Sequence, residues 1–310
     1  MSLSRRDFLA TTAVAVGATT FGRPALAAAW QQQQQAPPPL NPVFTKIRGN
    51  VSFFTGRGGT IGYLINPTGV VVVDSQFPDS AKVFVAALNH LSNNRPVDRL
   101  INTHHHGDHV GGNNEFRGLA KAVVAHQKAA ELIKAAAERP NAAPMLVPDK
   151  TFTDVWREQI GDEWVRAKHH GRAHTGGDAV ITFERANVAH MGDLMFNRRW
   201  PVIDRPNGAH VANWVTVLEK SVADHNAETM YIFGHAGPAF PVTGTSKDLL
   251  FFRDFLTAAL EHTRAAVKAG QTRDVFLASK PILKGFEEFG AGAGAGLGAI
   301  FDEISQGAGL

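Results

Sequence analysis

A layered α/β (α+β) fold is what this sequence predicts, on three observations. Short β-branched runs fall into two groups, amphipathic helical stretches are interleaved with them, and a histidine-rich loop begins directly at a strand end. Bulk composition agrees: of 310 residues, 44% are hydrophobic and 19% charged, ordinary for a globular protein.

In chain order, residues 1–27 read as an export signal. Ser4-Arg5-Arg6-Asp7-Phe8-Leu9-Ala10 precedes an apolar stretch over 11–20, and Pro24-Ala25-Leu26-Ala27 offers a cleavage site after Ala27. The apolar stretch is too short for a stable membrane span. The arginine pair followed by Phe-Leu resembles the twin-arginine type, so the precursor is expected to engage that export machinery. The expected location is periplasmic or secreted. Residues 28–42, with the run QQQQQAPPP, have no apolar periodicity and read as a flexible spacer.

Residues 51–54, 61–65 and 70–73 are predicted to be consecutive strands of an antiparallel meander, separated by glycine and proline turns. A helix is next, over 80–91, with Val83, Phe84, Ala87, Leu88 and Leu91 at helical spacing. Residues 99–102 form a strand that runs into the histidine cluster. A helix spans 127–138, ended by Pro140. Further strands are expected at 179–183, 187–190 and 230–233, with helices over 212–224 and 248–268. The low-complexity run GAGAGAGLG at 290–298 reads as a loop leading to a short helix over 297–305. Residues 43–245 read as one domain, with 246–310 a helical extension packed on it or completing it.

Charge and cysteine content narrow the chemistry. The net charge is +3, and most of it lies in the leader, where Arg5, Arg6 and Arg23 outnumber Asp7. The rest is nearly neutral and has no basic cluster, so nucleic acid is not an expected partner. Cysteine is absent, which excludes disulfides and thiolate ligands and leaves histidine and carboxylate for metal chemistry.

The run Thr103-His104-His105-His106-Gly107-Asp108-His109-Val110-Gly111-Gly112 concentrates metal-binding side chains just after a strand. His104 and His106, two apart in extended chain, point the same way and can converge on one ion. The turn at Gly107 lets Asp108 and His109 face a second ion nearby. Gly111 and Gly112 remove side chains where the backbone must pass close by. Gathering imidazoles and a carboxylate carries a desolvation cost that metal binding would offset.

This run fits HxHxDH, and on it the chain resembles the metallo-β-lactamase fold superfamily. Three later segments are similar to that family's remaining ligand loops: Gly171-Arg172-Ala173-His174, Met191-Gly192-Asp193 and Phe233-Gly234-His235. The resemblance implies a four-layer αββα sandwich with a dinuclear site. It also implies that His104, His106 and His174 bind the first ion, Asp108, His109 and His235 the second, and Asp193 bridges them. The expected cofactor is two zinc ions per chain, with iron or manganese also compatible with an all-His/Asp site. The expected reaction is hydrolysis of an ester, thioester, lactone or amide-type bond of a small molecule by a hydroxide held between the ions. In that reading Asp108 also orients the nucleophile and handles its proton. An aspartate at 193 resembles glyoxalase II and lactonases more than the β-lactamases, which have a cysteine or non-carboxylate there. β-Lactam hydrolysis, a diiron oxidoreductase and a non-catalytic metal-binding protein are the alternatives.

Other residues are open to two readings. His105 points away from its neighbours, toward packing or toward support of a ligand. Asp74, at a strand end, either bonds a ligand or closes a turn, and Thr175 with Asp178 either orients His174 or closes its turn. His169, His170, Arg198, Arg199 and Trp200 are either pocket residues or surface loop. Phe251, Phe252 and Phe255 either cover the core or border the pocket. His90, His126, His190, His210, His225 and His262 are expected to be structural.

Overall fold

A computed structural model describes residues 40–292 and 294–307. The export signal and residues 28–39 of the spacer lie outside the described residues, all of which belong to the unit Leu40–Leu310.

The first sheet has seven strands in the order β1 (Val43–Arg48), β2 (Val51–Thr55), β3 (Ile61–Asn66), β4 (Gly69–Val73), β5 (Arg99–Asn102), β6 (Val123–His126) and β7 (Lys150–Phe152). Its first four strands are the antiparallel meander; β4 to β7 run parallel. The second sheet comprises β8 (Val155–Ile160), β9 (Glu163–Lys168), β10 (Val180–Phe183), β11 (Val188–His190), β13 (Met230–Ile232) and β15 (Thr243–Gly244). A two-stranded ribbon pairs β12 (Phe196–Asn197) with β14 (His235–Ala236).

Valines show why the sheets stack. In β4 all five residues are buried, so both faces of the strand are covered. Val71 and Val73 meet Ile181, Phe183 and Val188 of the second sheet, forming the core between the sheets. Val70 and Val72 face the other way, against Phe84 and Leu88 of helix α1 (Pro78–Leu91). On the far side of the second sheet, Val180, Ala189 and Tyr231 pack against Trp214, Val217 and Leu218 of α4 (Val211–Ala223). Phe252, Phe255 and Leu256 of α5 (Ser246–Lys268) and Ile300 and Ile304 of α7 (Gly294–Ser305) join them. The result is four layers, αββα. Between these helices lie α2 (Gly107–Val110), α3 (Gln127–Ala137) and α6 (Arg273–Ala278).

Several expectations need correction. Helix α1 begins at Pro78, where proline suits a first turn, and its buried face is Ser80, Ala81, Phe84 and Leu88. Phe84 and Leu88 of the expected apolar stripe lie on that face, whereas Val83 and Leu91 are exposed. The run at 290–298 is not wholly loop, because α7 already begins at Gly294. Strands β1, β6 to β9, β12, β14 and β15 were not anticipated. The hairpin β8–β9 had a signal: Gly161-Asp162 forms its two-residue loop, with Gly161 at φ +62.

Candidate metal centre

Loops at strand ends of both sheets supply the cluster. β5 delivers Thr103, His104, His105 and His106, and His106 in extended conformation starts the single turn of α2. That turn carries Asp108 and His109. The segment between β9 and β10 supplies His174, the turn after β11 supplies Asp193, and β14 opens with His235. Because β11 and β13 are parallel, the segments that leave them emerge at the same end of the sheet.

The seven side chains gather in two groups. His104, His106, His174 and Asp193 form one, and Asp108, His109 and His235 the other; within each group ligand atoms lie within 4.8 Å of one another. Asp193 stands between them. Its Oδ2 is 3.4 Å from His174 Nε2 and 3.9 Å from His104 Nε2, while its Oδ1 is 2.9 Å from His109 Nε2 and 3.3 Å from His235 Nε2. His235 Nε2 also lies 3.1 Å from Asp108 Oδ2. His104 Nε2 is buried with no hydrogen-bond partner. A buried orphan nitrogen among imidazoles and carboxylates fits the donor set of divalent cations.

Each of four imidazoles is fixed from behind through its other nitrogen. His109 Nδ1 donates to Asp74 Oδ2 at 2.8 Å, and His174 Nδ1 to the Val202 carbonyl at 2.8 Å. His104 Nδ1 donates to Thr103 Oγ1 at 3.0 Å, and that hydroxyl donates onward to Asp74 Oδ2. His106 is turned the other way: Nε2 donates to Asp204 Oδ2 at 2.9 Å, leaving Nδ1 toward His174. Such partners select the tautomer that presents the free nitrogen to a cation.

Electrostatics complete the cluster. Burial raises the carboxyl of Asp193, but the charges and hydrogen bonds of His235 and His109 outweigh it and hold it well below the usual range. Burial is likewise overcome at Asp108, chiefly by His235. Burial and neighbouring imidazoles keep His104 far below its ordinary value, and burial also lowers His174. His109 is pushed down by burial yet raised well above its ordinary value by Asp193 and Asp74; the same contest, with Asp193 and Asp108, puts His235 at about 9. Ionised carboxylates and neutral imidazoles are the forms that bind metal, and a dication would replace the protons that Asp193 otherwise draws onto His109 and His235.

Close approach explains several glycines. A Cβ at Gly59 would stand 2.1 Å from the His109 ring, and one at Gly234 2.1 Å from Asp193 Oδ1. Gly112, expected to lie where the backbone passes close, faces Ala81 and Ser75 at 2.3 and 2.4 Å. Above the cluster opens a cleft of about 400 Å³, lined by Phe77, His106, Asp108, Asp193, Phe196, Arg199, Val202 and His235 among others.

The structure resolves the double readings. Asp74 bonds His109 and Thr103. Thr175 and Asp178 bond each other and close the turn after His174. His105 Nε2 lies 3.3 Å from Asp204. His169 stacks on His126 and donates to the Asp178 carbonyl, and His170 sits near Asp224, so neither lines this cleft. Phe252 and Phe255 are core, and Phe251 packs against it. His190 bonds the Thr60 carbonyl, and His210 caps α4. Asp204, the partner of His105 and His106, was missed: nothing local marks it, and it lies 98 residues from His106.

The comparisons agree with this geometry. The family model for the metallo-beta-lactamase superfamily matches residues 55–235. The chain is 29% identical over 131 residues to the 2,4-dinitroanisole O-demethylase subunit alpha of Nocardioides sp. (strain JS1661), 42% of this chain and 39% of that one. It is 31% identical over 121 residues to the hydroxyacylglutathione hydrolase of Pelagibacter ubique (strain HTCC1062), 39% of this chain and 44% of the other. The matches thus span less than half the length of these relatives. The solved metallo-beta-lactamase from Pontibacter korlensis superposes with a TM-score of 0.57 at 18% identity, over 70% of this chain and 99% of that one.

Proposed function

The chain belongs to the metallo-beta-lactamase superfamily, and on that footing we propose that it is a two-zinc hydrolase of an ester, thioester, lactone or amide-type bond. One observation carries the reading: the two carboxylate oxygens of Asp193 face two different groups of ligand side chains. His104, His106 and His174 would hold the first ion, Asp108, His109 and His235 the second, and Asp193 both. Two such cations supply Lewis acidity and a water acidic enough to act as nucleophile near neutral pH.

The remaining work falls to the chain. Asp108 lines the cleft with its side chain 28% exposed, and its Oδ2 is set by His235. That position supports a role in orienting the attacking water and taking its proton. Phe196 stacks under His235 with ring centroids 5.4 Å apart and fixes that imidazole. The cleft admits substrate on the face lined by Asp108, Asp193 and His235. Among the described residues no helix is long and apolar enough to cross a membrane. The export-signal pattern of residues 1–27 supports a periplasmic or secreted protein.

The test is elemental mass spectrometry on protein purified without chelator, beside Asp193→Ala and Asp108→Asn. It is paired with hydrolysis of a panel of esters, thioesters, lactones and β-lactams. About two zinc ions per chain, fewer in Asp193→Ala, and turnover lost in Asp108→Asn with metal retained are expected. One ion or none, unchanged by Asp193→Ala, would overturn the two-metal reading. Export is tested by cell fractionation of the Arg5→Lys, Arg6→Lys double variant, expected to remain in the cytoplasm.

A further inference from the structure

Among the described residues, the cleft above the metal centre is lined by two exposed apolar side chains and by one arginine that has no partner. Phe77 and Val202 are 37% and 50% exposed and both line it, as does Arg199. Large apolar side chains exposed together at a concave site mark a surface that a ligand covers. Arg199 is exposed and makes no hydrogen bond, ion pair or ring contact with any other described residue. The carboxylates that line the cleft do not pair with it: Asp108 and Asp193 are turned onto His235 and His109.

Its neighbours, by contrast, are anchored. Arg198 adopts a left-handed conformation, φ +51, that is uncommon outside glycine. Its guanidinium bonds Asn197 Oδ1 at 2.7 Å and Asp248 Oδ1 at 2.9 Å, lies 3.3 Å from Glu288, and covers the Phe251 ring at 4.4 Å. Asp248 is itself fixed in the capping box that starts α5. On the other side Trp200 donates from Nε1 to the Gly290 carbonyl and packs edge-on against Phe255. The turn at Arg198 therefore ties one arginine to α5 and leaves the next on the cleft, carried by a backbone held on both sides. Of two adjacent arginines that the sequence cannot tell apart, one is structural and the other has no partner among the described residues.

We infer that Arg199 is a specificity-determining residue: it binds an anionic group of the substrate, a carboxylate, sulfate or phosphate, while Phe77 and Val202 cover an apolar part of the same molecule. The planar fork of a guanidinium matches such oxyanions through paired hydrogen bonds, whereas a lysine offers only a point charge. Which bond is then cut rests on the hydrolase reading above; the anion site does not.

Binding to the metal-loaded full chain is measured by calorimetry with hexanoate, hexyl sulfate and hexyl phosphate, and with 1-hexanol as neutral control. Arg199→Ala is expected to weaken the anions about 10- to 100-fold and leave hexanol unchanged, with Arg199→Lys between. The anion that loses most identifies the group recognised. Equal binding of all three anions to wild type and Arg199→Ala overturns the assignment. In parallel, hydrolysis of mono-4-nitrophenyl succinate is compared with that of 4-nitrophenyl butyrate. Arg199→Ala should raise KM for the charged ester alone, and equal changes for both esters also overturn it. If the anion binding difference is found but neither ester is cleaved, the anion site stands and the hydrolase reading fails.

Discussion

Asp74 and His109 meet carboxylate to imidazole, Oδ2 to Nδ1 at 2.8 Å, with both side chains wholly buried. Asp74 reaches that place because the chain turns sharply after β4, with Asp74 at φ +63. The same carboxylate accepts from the Thr103 amide and hydroxyl, and the hydroxyl in turn holds His104. One residue outside the ligand set thereby orients an imidazole in each metal group. Asp74→Ala should lower metal affinity about 10- to 100-fold, read as metal retained against a competing chelator. Retention equal to wild type would show that His109 needs no such anchor.

Gly59 lies against His109, its amide donating to the Asp108 carbonyl at 3.0 Å. A methyl group there has no room, since the ring atoms begin 2.1 Å from the added carbon. Gly59→Ala should displace His109 and lose metal from the second group more than from the first. Two fully retained ions in a folded variant would contradict this.

Glu303 of α7, 1% exposed, accepts from the Val211 and Ala212 amides at 2.8 and 3.0 Å, satisfying the first turn of α4. Helix α4 carries Trp214, whose Nε1 bonds the Leu194 carbonyl beside Asp193. Glu303→Ala should cost about 1–3 kcal/mol for the buried amides left unpaired, with a correspondingly lower Tm, and Glu303→Gln less. An unchanged Tm in Glu303→Ala would mean that α7 does not stabilise this region.

His126 caps α3 by accepting from the Lys128 amide at Nδ1, which requires the unprotonated ring. Burial, then the adjacent His169, hold its pKa at about 4, below the ordinary ~6.5. Between those values the unfolded chain binds the proton and the folded one does not. The contribution to stability is therefore complete above pH ~6.5 and falls away as the pH drops toward about 4. Denaturant titrations at pH 7 and pH 5 should show a smaller loss in His126→Asn, whose side chain can still cap. His170, also lowered to about 4, retains part of the slope. An identical loss in the variant would show that His126 is not a source of the acid sensitivity.

The sequence by itself determined the elements whose signals are local. The meander β2–β3–β4 could be read from valine and isoleucine runs between glycine turns, and the long helices from apolar spacing. Residues His104 to His109 stood out because the spacing of a coordination motif is set within a few residues of chain. His174, Asp193 and His235 were reachable only through a resemblance to known ligand loops, since each is one residue in its own segment.

Tertiary structure alone decided the rest. Strand β1 has a half-exposed surface and owes its place to pairing with β2, and β6 is four residues long and runs directly into α3. The inward face of α1 was only partly legible: beside Phe84 and Leu88 it includes Ser80, set against Gly56, and Ala81, set against Gly112, positions chosen by close approach rather than by hydrophobicity. Asp204 meets His106 across 98 residues, and Arg198 and Arg199 part company only at a left-handed turn fixed by α5. Periodicity and motif spacing record what neighbours in sequence must do. A hydrogen bond between distant loops leaves no such pattern, because its geometry exists only once the two sheets have stacked.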